Sequence, residues 1–167
     1  AVGAAVQAIT SDKLQWVNFA TGAGQFLVSV NGADSMLTFD GAAWTATATL
    51  SISGGGTLNL NTIIDVGVYQ STLYFVPKAA LGFYYQAAQS VFGSVYFQSV
   101  AALCRKGGHI VKIDTWTVDG GQGPQDYLVI WTSEGEVVVN QGLSFQDRKS
   151  TRLNSSHIPL SRMPSSA

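Results

Sequence analysis

The stretch IDTWTVDGGQGPQDYLVIWTSEGEVVVNQG, residues 113–142, decides the fold. Its apolar residues fall into three short runs, 113–118, 127–131 and 136–140, rich in the β-branched and aromatic side chains that suit a pleated surface. A Gly-rich loop separates the first two runs. Ser133-Glu134-Gly135 separates the second and third, three-residue hairpin chemistry in which Gly135 supplies the positive φ that such a turn needs. The stretch therefore reads as two successive β-hairpins.

Two earlier segments repeat the second half of that pattern. GQFLVSVNGADSMLTFDG (24–41) and STLYFVPKAALGFYY (71–85) each give a strand, a short turn and a second strand, and Asn31-Gly32 and Asp40-Gly41 are turn dipeptides. With Leu27, Leu73 and Leu128 taken as equivalent, the spacings are 46 and 55 residues. The first is close to the ~40–50 residues of a four-stranded propeller blade, and the second leaves room for a loop insertion. A further strand precedes each pair, over 16–19, 65–69 and 113–118. Residues 91–100 alternate as another strand, SGGG at 53–56 breaks the chain, and 101–108 suit one helical turn or a bend. The Ala-rich residues 1–13 suit a strand remnant or a short helix. Helical periodicity is nowhere sustained, so the predicted class is all-β. The expected architecture is a partial β-propeller-like arrangement of about three blade-like antiparallel repeats, with a β-sandwich or meander as the alternative. Rings usually hold four to eight blades, so three would leave one open, with edge strands prone to association.

The last part of the chain reads differently. DRKSTRLNSSH, from Asp147, and SRMPSSA, from Ser161, resemble the translation of a sequencing-library adapter on either side of a short variable index. Residues 147–167 are therefore set apart as a non-native, disordered tail, and 1–146 as a fragment of a β-propeller-like domain. The chain holds 9 basic and 10 acidic residues; Arg148, Lys149, Arg152, Arg162 and Asp147 lie in that tail, which leaves 5 basic against 9 acidic, a formal charge of −4. No basic footprint for sequence-specific nucleic acid binding remains. Cys104 is the one cysteine, so no disulfide framework or cysteine metal site is expected within the chain. No apolar run approaches the roughly 20 residues of a membrane-spanning helix. The start, AVGAAVQAIT, lacks an initiator Met and a basic n-region, and reads as a truncation rather than a signal peptide.

Candidate chemistry is sparse. Asp119 and Asp126, seven positions apart in the loop DGGQGPQD, offer carboxylate oxygens to calcium. Yet calcium takes six to eight oxygens and the loop lacks EF-hand spacing, so an ordinary hairpin or interface loop is the expected reading and no metal or other cofactor is assigned. His109 is the one histidine outside the tail and no nucleophile elbow accompanies it, which fits a loop or strand-edge residue better than a hydrolase triad. Cys104 beside Arg105 and Lys106 reads as a buried structural cysteine rather than an activated thiol. Asp34, Asp40, Asp65 and Asp114 are assigned to turn propensity rather than to a glycosidase pair. No catalytic residue is assigned and no enzyme is expected. Trp16, Trp44, Trp116 and Trp131 are the interface and packing candidates. Filling the space between sheets is their expected role, and a carbohydrate-stacking platform on a lectin-like propeller module the alternative.

WVNFATGAGQFLVSVNGADSMLTFDGAAWT (16–45), followed about 70 residues later by DTWTVDGGQGPQDYLVIWTSEGEVVVNQG (114–142), resembles a virion structural family of tailed bacteriophages. The family is that of the tail nozzle and head-to-tail adaptor proteins known as tail tubular protein B in podoviruses. The resemblance spans roughly residues 14–142. It implies a non-catalytic structural subunit with propeller-like decoration in a homo-oligomeric ring, contacting other tail or connector proteins. Assembly would take place in the host bacterial cytoplasm and the product would reside in the virion. Asn140 stands where the family commonly has Tyr, and the likeness fades after Gly142.

Overall fold

Turn chemistry divides the chain into short strands. In the computed structural model, residues 5–119 and 123–141 are described, together with the backbone of a strand at Thr151–Leu153. The first four strands are β1 (Gln15–Thr21), β2 (Gly24–Val30), β3 (Met36–Phe39) and β4 (Trp44–Thr47). They form an antiparallel sheet in sequence order. The β2–β3 turn depends on Gly32, whose φ is +74°, while the Asn31 side-chain oxygen accepts hydrogen bonds from the Ala33 and Asp34 N–H groups. A small hairpin follows, β5 (Thr49–Ser51) and β6 (Thr57–Asn59), reversed through the three consecutive positive-φ glycines Gly54, Gly55 and Gly56.

After a 3-10 turn at Leu60–Thr62 comes a second sheet in sequence order: β7 (Ile63–Tyr69), β8 (Thr72–Pro77), β9 (Gly82–Gln86) and β10 (Val95–Ser99). The small hairpin is tied to its far edge, where the Ser53 N–H donates to the Val95 carbonyl at 2.8 Å. The third sheet comprises β11 (Ile110–Asp119), β12 (Pro124–Thr132), β13 (Val137–Asn140) and β14 (Thr151–Leu153). Gly135, with φ +73°, closes the turn between β12 and β13 as its sequence predicts. The class is all-β: three four-stranded antiparallel meanders and a two-stranded hairpin, with no α-helix and no closed ring among the described residues.

The pleat explains how the sheets stack. Successive side chains of a strand point to opposite faces, and β8 is buried along its whole length. Leu73 and Phe75 join Phe19, Val28 and Val30 in one apolar cluster between the first and second sheets. Tyr74 and Val76 join Ile113, Leu128 and Ile130 in another between the second and third. The middle sheet is thus covered on both faces, and its first strand, β7, packs against β1 and β11. Burying side chains of this size contributes about 1.5–3 kcal/mol each. Tyr69 links the second interface to the third sheet, its hydroxyl donating to the Asp126 carbonyl at 3.0 Å.

Several sequence expectations are corrected. Residues 5–13 form neither helix nor strand, while 101–108 take the bend that is one of the two sequence expectations, opening on a turn in which the Leu103 and Cys104 N–H groups donate to the Val100 and Ala101 carbonyls. The strand expected over 91–100 begins only at Val95, because the Gln86 side-chain amide donates to the Val91 and Gly93 carbonyls and holds that segment as a loop. Of the tail at 147–167, β14 pairs with β13, Leu153 opposite Val137, and the remainder lies outside the described residues.

Candidate functional site

The outermost faces of the stack carry the tryptophans. In β2, Val28 and Val30 point into the first buried cluster, so Leu27 and Ser29 point away from it. Their cross-strand partners extend that outer face: Trp16 lies opposite Ser29, Asn18 and Phe39 opposite Leu27, and Trp44 opposite Phe39. The Trp44 and Phe39 rings sit 5.0 Å apart, and the two indoles occupy opposite edges of one face, 61% and 42% exposed for Trp16 and Trp44. An open pocket of about 440 Å³ on this face is lined by Asn18, Gln25 and Phe39, among others.

The third sheet repeats the arrangement at the other end. Ile113, Leu128 and Ile130 point inward, which sends Trp116, Tyr127 and Trp131 to the other face, where Val129 and Val139 are nonetheless buried at 4% and 8% exposure. Trp116 pairs across the strands with Tyr127, ring centroids 6.2 Å apart, and Trp131 lies opposite Lys112. Lys112 forms an exposed ion pair with Asp114 at 3.6 Å on the same face. Trp116 and Trp131 are 52% and 37% exposed. None of the four indoles fills the space between two sheets of this chain, where the sequence places them in expectation. The alternation of β2 and β12 shows two faces, but pairing of strands alone does not say which face another sheet covers.

The acidic candidates are scattered. Asp34 lies in the β2–β3 turn, where the Thr10 hydroxyl, the Asn31 amide and the Thr10 N–H all donate to it and hold its carboxyl down at about 2. Asp40 caps its own turn, with the Ala43 and Ala42 N–H groups lowering its pKa. These two are turn residues as expected. Asp65 and Asp114 are not, since both lie within strands. Asp65 is 5% exposed and accepts the Ile113 N–H at 3.0 Å across the second interface. Burial pushes its pKa up, against the opposing pull of that hydrogen bond. Sequence reasoning missed it because a bulge between Ile63 and Asp65 turns this residue toward the third sheet.

Asp119 and Asp126 flank the β11–β12 loop, whose residues 120–122 lie outside those described. The Asp126 carboxylate accepts from the Thr117 hydroxyl at 2.6 Å. Among the described residues no three His, Cys, Asp or Glu side chains gather as a metal site. His109 is a strand-edge residue whose N–H donates to the Ser133 hydroxyl at 3.2 Å. Cys104 is half-buried beside the second cluster. The basic pair after it is turned by backbone, the Glu136 carboxylate accepting the Arg105 and Lys106 N–H groups at 3.0 Å each. No described helix is long and apolar enough to cross a membrane. Comparison of the chain with protein-family models, curated proteins and solved structures gives no match in any of the three.

Proposed function

We propose that this chain is a non-catalytic structural component of a tailed-phage virion, a tail nozzle or head-to-tail adaptor subunit that works by packing sheets against neighbouring subunits. The observation that carries the packing role is the set of four exposed tryptophans on the outer sides of the first and third sheets. Exposed aromatic patches of this kind mark interaction sites in proteins generally. The virion assignment rests on the resemblance of 16–45 and 114–142 to the phage family. Its test is mass spectrometry of DNA-filled particles banded from the source sample. Peptides such as 79–105 are expected in the virion band, and their confinement to the cellular fraction would reject the assignment.

The pocket bounded by Asn18, Gln25 and Phe39, close to Trp44, favours a second reading. An aromatic face beside side-chain amides is suitable chemistry for stacking and hydrogen-bonding a saccharide, which makes the chain a lectin-like surface-recognition module. Glycan-array binding that Trp44→Ala abolishes would move this reading ahead of the first.

A further inference from the structure

Residues 7–13 form no strand and are strapped to the β2–β3 turn by polar contacts. The Gln7 side-chain amide donates to the Ser35 carbonyl at 2.9 Å, and the Thr10 N–H and hydroxyl donate to the two Asp34 carboxylate oxygens, at 2.7 and 2.6 Å. Asn31 is the centre of this clasp. Its amide nitrogen donates to the Ser11 carbonyl at 3.1 Å and to the Asp34 carboxylate at 2.7 Å, while its oxygen accepts the Ala33 and Asp34 N–H groups. Asn31 is 8% exposed, whereas Val6 and Ile9 are 47% and 54% exposed, so hydrogen bonds rather than apolar burial hold the strap.

Asn31 also belongs to the one Asn-Gly pair in the sequence. Gly32 cannot be dispensed with, because its φ is +74° and a Cβ on it would lie 3.0 Å from the Ile64 side chain. With no side chain to shield it, the Gly32 nitrogen is free to attack the Asn31 side-chain carbonyl carbon once that carbon reaches it. The bond from this carbon to the amide nitrogen breaks, the Gly32 proton leaves with that nitrogen as ammonia, and a cyclic imide remains. Solvent water then opens the ring at one carbonyl or the other, giving aspartate or isoaspartate.

We propose that Asn31-Gly32 is a self-modification site gated by the strap, and that its conversion makes the release of residues 7–13 irreversible. Ring closure requires the Asn31 side chain to turn onto the Gly32 nitrogen and to shed the nitrogen that Ser11 and Asp34 hold, so it waits on the clasp opening. Aspartate at position 31 keeps an oxygen for the Ala33 and Asp34 N–H groups but has no donor for Ser11 or Asp34. It sets a second carboxylate beside Asp34, whose own carboxyl, held down at about 2, is charged wherever the reaction runs. Two like charges then meet where a 2.7 Å hydrogen bond stood. The strap loses its anchor and the turn survives. This device is independent of both functional readings above.

The experiment incubates the full 167-residue chain in mildly alkaline buffer and follows amide loss at Asn31 in the tryptic peptide 14–78 by fragmentation mass spectrometry. The folded chain is expected to react about tenfold or more slower than a synthetic peptide of residues 27–36, since local opening limits it. Thr10→Pro, which removes both the N–H and the hydroxyl that hold Asp34, is expected to bring the rate most of the way to that of the peptide. In hydrogen exchange, Asn31→Asp is expected to lose protection at the Thr10 amide and to keep it at Ala33 and Asp34. A folded chain that reacts as fast as the peptide overturns the proposal, as does a Thr10→Pro rate equal to wild type, or an Asn31→Asp chain with Thr10 still protected. Should Asn31→Asp unfold, the aged wild-type chain decides: its more acidic fraction, separated by ion exchange, is expected to exchange Thr10 faster than the unmodified fraction, and equal rates overturn the release.

Discussion

Asp65 shows what a single buried carboxylate does at a sheet interface. Its side chain is 5% exposed and accepts the Ile113 N–H, with the Val66 N–H also lowering its pKa and burial outweighing both. Because burial raises its folded-state pKa, the protonated form is the one that folding favours. The carboxylate therefore weighs against stability above that raised pKa and ceases to do so as pH falls below the ordinary 3.8. Asp65→Asn keeps an oxygen for Ile113 and removes the charge. Denaturant melts should show it at least as stable as wild type at neutral pH, with the difference vanishing in acid. Asp65→Ala instead leaves a buried N–H without its acceptor, which costs about 1–3 kcal/mol. Equal losses for both variants would contradict this account. The sequence offered no route to it, since Asp65-Val66-Gly67 looks like a turn until the bulge and the neighbouring sheet are known. Asp40, by contrast, was legible, because its carboxylate caps N–H groups two and three residues on and needs no distant partner.

Strand positions were legible wherever the turn was local. Gly32 and Gly135 take the positive φ that Asn31-Gly32 and Ser-Glu-Gly predict, and the hairpins they close are where the sequence puts them. The start of β10 was not, because the Gln86 amide that displaces it acts on carbonyls 5 and 7 residues away. Nor was the burial of each face: alternating residues in β8 and β12 look alike, yet Phe75 is buried between sheets and Trp131 lies on an open one. That difference is measurable. Phe75→Ala is expected to cost about 3–5 kcal/mol by creating a cavity in a packed interface. Trp16→Ala in the monomer should change stability by only about 0.5 kcal/mol, as surface substitutions do. Comparable losses for the two, read from chemical denaturation, would mean that Trp16 is covered.

Across the molecule, three meanders build two apolar interfaces. The equivalence of Leu27, Leu73 and Leu128 was readable from spacing, and their common orientation along the stack needed coordinates. Because alternate residues of β8 belong to opposite interfaces, this strand is a two-sided reporter. Its amides reach deuterated solvent only when a neighbouring sheet has separated and the β7 or β9 ladder has opened. Hydrogen exchange should therefore find β8 the slowest segment, with the edge strand β1 faster because β2 alone pairs with it. Substitution at Phe75 should accelerate exchange across the first interface and leave the second slow, while substitution at Tyr74 should do the reverse. The parity of a residue number in one strand then becomes an address, telling which of two seams has begun to part.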